Sequence, residues 1–213
     1  NEARALGLEV GKVVVSVHTG SRGFGYQICS ESIDALQAAT RKYRIDLPDR
    51  QLVCAPLKSG EGRQYMAAMG SAANFAFANR QVMTHWVRRS FEQALAASPR
   101  DLAIEVVYDV CHNIAKFETF EIEGKKRRVC MHRKGATRAY PPGHPQTPAA
   151  YAEVGQPVLI PGSMGTSSYV LAGAEDSSHV AFGSCCHGAG RRLSRTAAKK
   201  QVNAPVLKQE LEA

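Results

Sequence analysis

Two long helical patterns and several short strand patterns most constrain what this chain can fold into. One helical pattern follows the polar turn at 18–23 and runs to about Thr40. The other runs from Glu61 to about Ala97 and is rich in Ala, Met and Phe, and Ser98-Pro99 ends it. The strand patterns are interspersed with these helices without a steady βαβ rhythm. The sequence therefore predicts an α+β fold with mixed sheets, rather than a doubly wound one.

The strand patterns are short and rest on β-branched and aromatic residues. A turn at Glu123-Gly124 joins two of them into a hairpin, a Pro- and Gly-rich stretch covers 135–148, and a basic helix begins near Ser194 and breaks around Pro205. The predicted strands are Val13–Val17, Ala103–Tyr108, 117–122, 126–132, Val158–Ile160, Tyr169–Leu171 and Val180–Phe182.

Length and composition are those of one globular domain spanning 1–213. The chain has 213 residues, is 44% apolar and has no low-complexity tract. No apolar run approaches the roughly 20 residues that cross a bilayer, and no signal-peptide pattern opens the sequence. The six cysteines form no C-x-x-C pair. We expect a cytoplasmic protein with reduced thiols and no membrane contact.

The basic residues favour a polyanionic partner. Lys and Arg number 27 against 19 Asp and Glu, a net charge of +8, which favours association with polyanions. Several runs can contact phosphates, although a single run of this kind is more often a solvated surface. The runs are Arg41–Arg44, Lys125–Arg128, Arg191-Arg192 and Lys199-Lys200.

The segment Cys185–Arg191 places His187 directly before a Gly-Ala-Gly turn. A glycine-rich turn that leads into a helix can direct backbone N–H groups at an anion. A histidine beside such a turn can act as a nucleophile or a metal ligand on a bound phosphate. By itself the segment fits a histidine in a tight loop equally well.

Two other histidines follow predicted strands. His18 comes after the strand at 13–17 and His112 after the strand at 103–108. Because a sheet fixes the backbone at a strand end, these imidazoles can share a divalent cation, with Asp109 orienting one of them. A structural role for each histidine is the alternative.

Two loops suit phosphate or nucleotide contacts. The segment 132–138 gathers arginines and a lysine beside Gly135, and 161–168 offers small residues and hydroxyls. Neither is a Walker A loop, and the chain has no G-x-S-x-G nucleophile elbow. Any nucleotide is therefore held by a different kind of site.

Taken together, these segments resemble the RtcB-type RNA-splicing ligases. They occur in the family's order and span nearly the whole chain. The matching segments are VHTGSRGFG (17–25), SAANFAFANRQ (71–81), VYDVCHNIAKFE (107–118), HRKGATRAYPPG (132–143), PGSMGTSSYVLAG (161–173) and CCHGAGRRLSR (185–195). The resemblance implies an RtcB-like fold and a GTP- and Mn²⁺-dependent ligase. Such an enzyme joins an RNA end with a 2′,3′-cyclic phosphate or 3′-phosphate to a 5′-hydroxyl end, in transfer-RNA splicing and RNA repair.

The resemblance also implies a role for each matched residue. His187 corresponds to the nucleophile that becomes a covalent histidine–GMP, and His18 and His112 correspond to manganese ligands. The implied GTP contacts are Ser163, Met164, Gly165, Thr166, Ser168, Gly188, Ala189 and Gly190. The implied RNA or phosphate contacts are Arg22, Asn113, Arg133, Lys134, Arg138 and Arg191.

Some of the family's segments have no counterpart here. These are an N-terminal D-x-G-C-G-type segment with metal ligands, a G-G-N-H-F-x-E-type segment, and a C-terminal segment with a guanine-contacting lysine. We therefore expect the central and later part of a ligase, with a further chain supplying the missing part or an activating protein as partner. The alternatives are a remnant that accepts guanylate without sealing RNA, and a basic RNA-binding module.

Overall fold

The computed structural model describes residues 2–49, 52–162, 166–188 and 195–212. The chain divides into two compact units, one formed by residues 14–109 and the other by residues 1–13 and 110–213. Helices and antiparallel strands occur together, which confirms the predicted α+β composition. The expected single domain over 1–213 stays a prediction.

The helices and strands are numbered in chain order. The helices are α1 (Glu2–Ala5), α2 (Arg22–Lys42), α3 (Gly60–Leu95), α4 (Pro99–Leu102), α5 (Ser177–Ala181), α6 (Arg195–Gln201) and α7 (Ala204–Glu212), with a 3-10 turn at Ala149–Tyr151. The strands are β1 (Asn113–Ile122), β2 (Lys125–Lys134), β3 (Ala136–Arg138), β4 (Pro157–Ile160), β5 (Tyr169–Ala172) and β6 (Ser184–Cys186). None of the helices in these residues is long and apolar enough to cross a membrane.

The unit 14–109 is a helical hairpin of α2 and α3, as the periodicity predicts. Ser59 caps the start of α3, because its hydroxyl accepts a 3.0 Å hydrogen bond from the Gly62 N–H. The helices pack through Phe24 and Phe75, whose ring centroids lie 5.5 Å apart, and Leu36 of α2 is buried. The long helix thereby becomes a rigid support for the loop that precedes α2.

Among its described residues, the second unit contains three two-stranded antiparallel sheets, which pair β1 with β2, β3 with β6 and β4 with β5. The β1–β2 hairpin was predicted, and the structure extends it to ten residues per strand. Glu123 and Gly124 at its turn both have positive φ, as tight hairpin turns require. Predicted strands β4 and β5 are also confirmed.

The core of this unit lies under β3 and β4. Tyr140, Gln156 and Val158 are almost fully buried. The Gln156 N–H donates to the Tyr140 carbonyl at 2.9 Å, and the Gly173 N–H donates to the Gln156 carbonyl at 3.0 Å. These bonds join the chain after β3 to the strands β4 and β5, and so fix β3 relative to them.

Three predicted strands are wrong. Residues 13–17 and 103–108 are described without strand structure, and Val13 and Val14 are 79% and 68% exposed. β-Branched residues favour a strand only where a neighbouring strand completes the hydrogen-bonded ladder. Residues 180–182 lie at the end of helix α5 instead. The strand in this region is β6, a few residues later, because those residues pair with β3.

The C-terminal region agrees with its prediction where it is described. Helix α6 ends at Gln201, and α7 begins at Ala204 with Pro205 in its first turn. Proline is tolerated there because the first N–H groups of a helix have no partner within the helix. The predicted start of the basic helix at Ser194 lies outside the described residues.

Candidate functional site

His187 follows strand β6 and is held by the backbone of Gly135. The His187 N–H donates to the Gly135 carbonyl at 3.1 Å, and His187 Nδ1 lies 3.0 Å from the same oxygen. Because a carbonyl oxygen only accepts hydrogen bonds, Nδ1 must carry the proton in this contact. The lone pair of the neutral imidazole then lies on Nε2.

The turn at Gly135 positions this carbonyl. Gly135 has φ +65°, a left-handed conformation that favours glycine. Its N–H donates to Oδ1 of Asn113 at 3.0 Å, and the next N–H, of Ala136, donates to the His112 carbonyl at 3.3 Å. Asn113 was predicted to contact RNA, and in the structure its side-chain oxygen holds the turn beneath His187.

His112 lies directly against His187. The two imidazole rings are stacked, with centroids 4.0 Å apart and planes 20° from parallel, and both side chains are half-buried. The two histidines come from segments separated by the whole of β1 to β6, and no sequence pattern predicted that they stack. The pair concentrates imidazole nitrogens at one point, which suits binding of a divalent metal or an anion.

Arg133 forms an internal ion pair. Its side chain and that of Glu118 are each 2% exposed, and two guanidinium nitrogens bond the two carboxylate oxygens at 2.7 and 2.8 Å. Arg133 Nε donates to the Ser184 hydroxyl at 2.9 Å, and Nη2 also donates to the Phe182 carbonyl. The predicted RNA contact requires a guanidinium at the surface, so this placement corrects it to a positioning role between β2 and β6.

The segment 161–168, which was predicted to contact GTP, is described only at 161–162 and 166–168. Gly162 donates its N–H to the Ser168 hydroxyl at 3.0 Å, which closes the loop. A Cβ on Gly162 would lie 2.5 Å from the Thr166 carbonyl oxygen, and one on Gly188 would lie 3.5 Å from the Pro161 oxygen. Gly188, directly after His187, therefore lies close to Pro161, directly after β4. Of the predicted contacts, Ser163, Met164, Gly165, Ala189, Gly190 and Arg191 lie outside the described residues.

The remaining predicted contacts of this unit differ in exposure. Lys134 is exposed at the end of β2. Arg138 is half-buried, with its guanidinium 5.5 Å from the Tyr140 ring centroid and a 3.4 Å bond to Gln146. Burial lowers the pKa of Lys116 nearby, and the positive charge of Arg138 acts in the same direction.

Burial raises the pKa of Cys185, which lies two residues before His187, and neighbouring Cys186 adds to the shift. The shift favours the protonated thiol, which is a poorer nucleophile and a poorer metal ligand than the thiolate.

The other unit holds the polar loop that carries His18. Asn79 of α3 donates to the Gly20 carbonyl at 2.8 Å, and Arg80 donates to the Thr19 carbonyl at 3.3 Å. Arg80 also forms an ion pair with Asp109, and the predicted role of Asp109 in orienting an imidazole stays a prediction. These contacts join the loop at 19–20 and Asp109 to helix α3.

His18 and Arg22 are exposed within this unit, and Arg22 is the first residue of α2. Their predicted roles in metal and phosphate binding stay predictions. The sequence patterns did not identify Asn79 and Arg80, which anchor this loop, as functional residues, although both lie in one of the matching segments. A polar pair within an otherwise Ala- and Phe-rich helix is the signal that points to them.

Comparison with known proteins identifies one family. The family model described as tRNA-splicing ligase RtcB matches residues 1–213. The chain is 59% identical over 209 residues to a tRNA-splicing ligase RtcB of Thermococcus kodakarensis, covering 98% of this chain and 43% of that protein. It is 53% identical over 210 residues to the protein of the same name from Archaeoglobus fulgidus, covering 99% of this chain and 44% of that protein. A Pyrococcus abyssi protein of this name is 57% identical over 209 residues, covering 98% of this chain and 23% of the relative.

The chain thus spans less than half the length of these relatives. This agrees with the sequence expectation that segments of the family have no counterpart here. Activity, substrates and partners of the longer proteins are accordingly matters for proposal.

Proposed function

Because the chain belongs to the tRNA-splicing ligase RtcB family, we propose that it carries the guanylate-accepting part of an RNA ligase. The enzyme uses GTP and Mn²⁺ to join an RNA end bearing a 2′,3′-cyclic phosphate or 3′-phosphate to a 5′-hydroxyl end. Its covalent intermediate is a GMP on His187. The observation that carries the proposal is the bond between His187 Nδ1 and the Gly135 carbonyl.

That bond prepares His187 for nucleophilic attack. It fixes the tautomer whose lone pair is on Nε2, and the second bond from the His187 N–H fixes the backbone from which the ring projects. When Nε2 forms a bond to phosphorus, the ring acquires positive charge, which the Gly135 carbonyl dipole stabilises through Nδ1–H. A histidine so held needs no reorientation during the reaction.

The proposed reaction consists of three nucleophilic substitutions at phosphorus. His187 Nε2 attacks the α-phosphorus of GTP, and the bond to the bridging oxygen breaks to release pyrophosphate. An oxygen of the RNA 3′-phosphate then attacks the same phosphorus and breaks the N–P bond, which returns neutral His187. The 5′-hydroxyl finally attacks the RNA phosphorus, loses its proton and expels GMP, leaving a 3′,5′-phosphodiester.

His18 and His112 are the residues proposed to hold Mn²⁺. Neutral imidazole nitrogen is an acceptable ligand for this ion, and His112, which stacks on His187, supplies a nitrogen donor close to the nucleophile. A bound divalent cation offsets negative charge on the triphosphate. The carbonyl of His112, bonded to Ala136, ties this ligand to the same turn that holds His187.

The loops at 161–168 and 187–190 are proposed to hold the guanosine and phosphates of GTP. Their described ends lie together, since Gly188 comes close to Pro161. Backbone N–H groups in glycine-rich turns can donate to phosphate oxygens. Thr166 and Ser168 add hydroxyls at the end of the first loop.

The proposal is tested with GTP labelled at the α-phosphate. The chain is incubated with this GTP and Mn²⁺, denatured, and assayed for label that remains on the protein. We expect label on the unsubstituted chain and on His179→Ala, an exposed histidine of α5, and none on His187→Ala. Chelation of the metal should prevent labelling.

Label that persists in His187→Ala would contradict the assignment of the nucleophile. Sealing is measured separately with two RNA strands, one ending in a 3′-phosphate and one beginning with a 5′-hydroxyl. Labelling of His187 without sealing would mean that this chain accepts guanylate but does not complete ligation.

A further inference from the structure

One face of the β1–β2 hairpin carries a row of exposed basic side chains along β2. Alternation along the strands places Phe117 of β1 on the same face as Lys126, Arg128, His132 and Lys134 of β2, and these five residues are called the basic face. The intervening residues of the strands point the other way, as buried Arg133 and Glu118 show. The face therefore has a fixed backbone beneath it.

Its net charge is positive. Lys126, Arg128 and Lys134 carry three fixed positive charges, and Glu121, opposite Lys126 in the register, is the acidic side chain on this face. His132 is exposed between Arg128 and Lys134, with Nε2 3.6 Å from the Cys130 sulfur. Such a row of cations attracts a polyanion more than a protein surface of mixed charge does.

The face also contains an aromatic platform. The Phe117 ring is 47% exposed, and the guanidinium of Arg128 lies 4.9 Å from its centroid. This contact is a cation–π pair that holds the guanidinium beside the ring. Aromatic rings among cations are the surface that single-stranded nucleic acids bind, because bases stack on the rings while the cations contact phosphates.

The row of cations leads to His187. Lys126 and Lys134 are separated by eight residues of β2, about 27 Å at 3.4 Å per residue. Lys134 precedes Gly135, whose carbonyl bonds His187. An RNA strand lying along the basic face would therefore end at the proposed nucleophile.

We infer that the basic face binds the single-stranded RNA that leads to the reacting end. The inference rests on the proposed function for the identity of the ligand, and it deepens that function by assigning the surface that the strand follows. Phe117 stacks on a base, and Lys126, Arg128 and Lys134 contact successive phosphates.

The test compares two faces of the same strand. Lys126→Gln/Arg128→Gln removes two charges from the basic face, and Lys125→Gln/Arg127→Gln removes the same two residue types from the opposite face, where both are also exposed. Binding of an RNA strand of about 12 nucleotides, within the roughly 4–16 that such surfaces cover, is measured against salt concentration. GTP and metal are omitted, so the result does not depend on guanylylation of His187.

We expect the first double variant to lower the slope of log affinity against log salt by about 1.4, since each lost phosphate contact contributes about 0.7. At ~0.1 M salt this corresponds to roughly 25-fold weaker binding. The second double variant should bind within about twofold of the unsubstituted chain, because its charges lie on the other face. Phe117→Leu should weaken binding roughly fivefold or more without changing the salt slope.

Equal losses in the two double variants would overturn the inference, because they would reflect net charge alone. Undiminished binding in the first double variant, or binding of an acidic polypeptide in preference to RNA, would overturn it as well. If His187 becomes labelled with guanylate while the faces do not differ, the proposed function survives and the inference fails. If the two double variants differ in RNA binding and His187 is not labelled, the inference survives and the proposed function fails.

Discussion

Replacement of Arg133 by Met separates a structural role of this arginine from the RNA contact that its sequence context suggests. The substitution keeps the aliphatic length but leaves Glu118, which is 2% exposed, as a buried carboxylate without its cation. Removing one partner of a buried pair costs about 3–5 kcal/mol. The two carboxylate bonds by themselves account for a loss of this size, since bonds to charged groups contribute about 1.5–3 kcal/mol each.

The free energy of unfolding is measured by urea denaturation, with thermal melting as a second readout. We expect a melting temperature lowered by roughly 6–20 °C, at about 2–4 °C per kcal/mol for a chain of this size. The double variant Glu118→Leu/Arg133→Met should recover most of the loss, because it removes both buried charges. His187 guanylylation should fall and recover in parallel, since Arg133 joins β2 to the start of β6.

A different result would refute this reasoning. If Arg133→Met unfolds within about 0.5 kcal/mol of the unsubstituted chain and the salt slope of RNA binding falls by about 0.7, the guanidinium contacts phosphate as the sequence suggests. Failure of the double variant to recover stability would show that the contacts with Ser184 and Phe182 matter more than the charge pair.

Two further predictions concern stability. Gly70→Ala in α3 should raise the free energy of unfolding by about 0.5–1 kcal/mol, because a Cβ there meets open space. Gly173→Ala should lower it by about 2–3 kcal/mol, because its Cβ would overlap the Tyr140 carbonyl oxygen. Urea denaturation of both variants checks these values. Burial and the Glu118 carboxylate raise the pKa of Tyr140 from 10.0 to about 12. The folded chain then holds this proton more tightly than the unfolded chain, so the stabilisation is complete below pH 10 and is lost as pH rises towards 12. The alkaline loss should be smaller in Tyr140→Phe, and an equal loss in both proteins would contradict the assignment.

Sequence patterns located the elements whose stability is local. The helices α2 and α3 follow from apolar periodicity and from breakers at their ends, and the β1–β2 hairpin follows from its turn at Glu123-Gly124. The strands at 13–17 and 103–108 could not be decided in this way. A β-branched run specifies a preference, and the ladder that turns it into a strand comes from residues distant in sequence.

The candidate site shows the same division. His187 was identifiable because its surrounding segments match a family in order and composition. Its tautomer, its stacking on His112 and the role of the Gly135 carbonyl depend on residues about 50 to 75 positions away in the chain. Composition alone could not place Arg133, since an arginine in a basic loop is equally suited to bind a phosphate or a buried carboxylate.

The sequence by itself determined the family and the local elements and pointed to His187 as the candidate nucleophile, because these depend on residue identity and short-range periodicity. The tertiary structure decided which face each residue of β2 takes, placing Arg133 inside and Lys134 at the surface although they are adjacent. The physical reason is the alternation of a strand once its pairing register is fixed. A shift of one residue in that register would turn Arg133 towards the solvent and Lys134 towards the interior, so the buried ion pair would be lost.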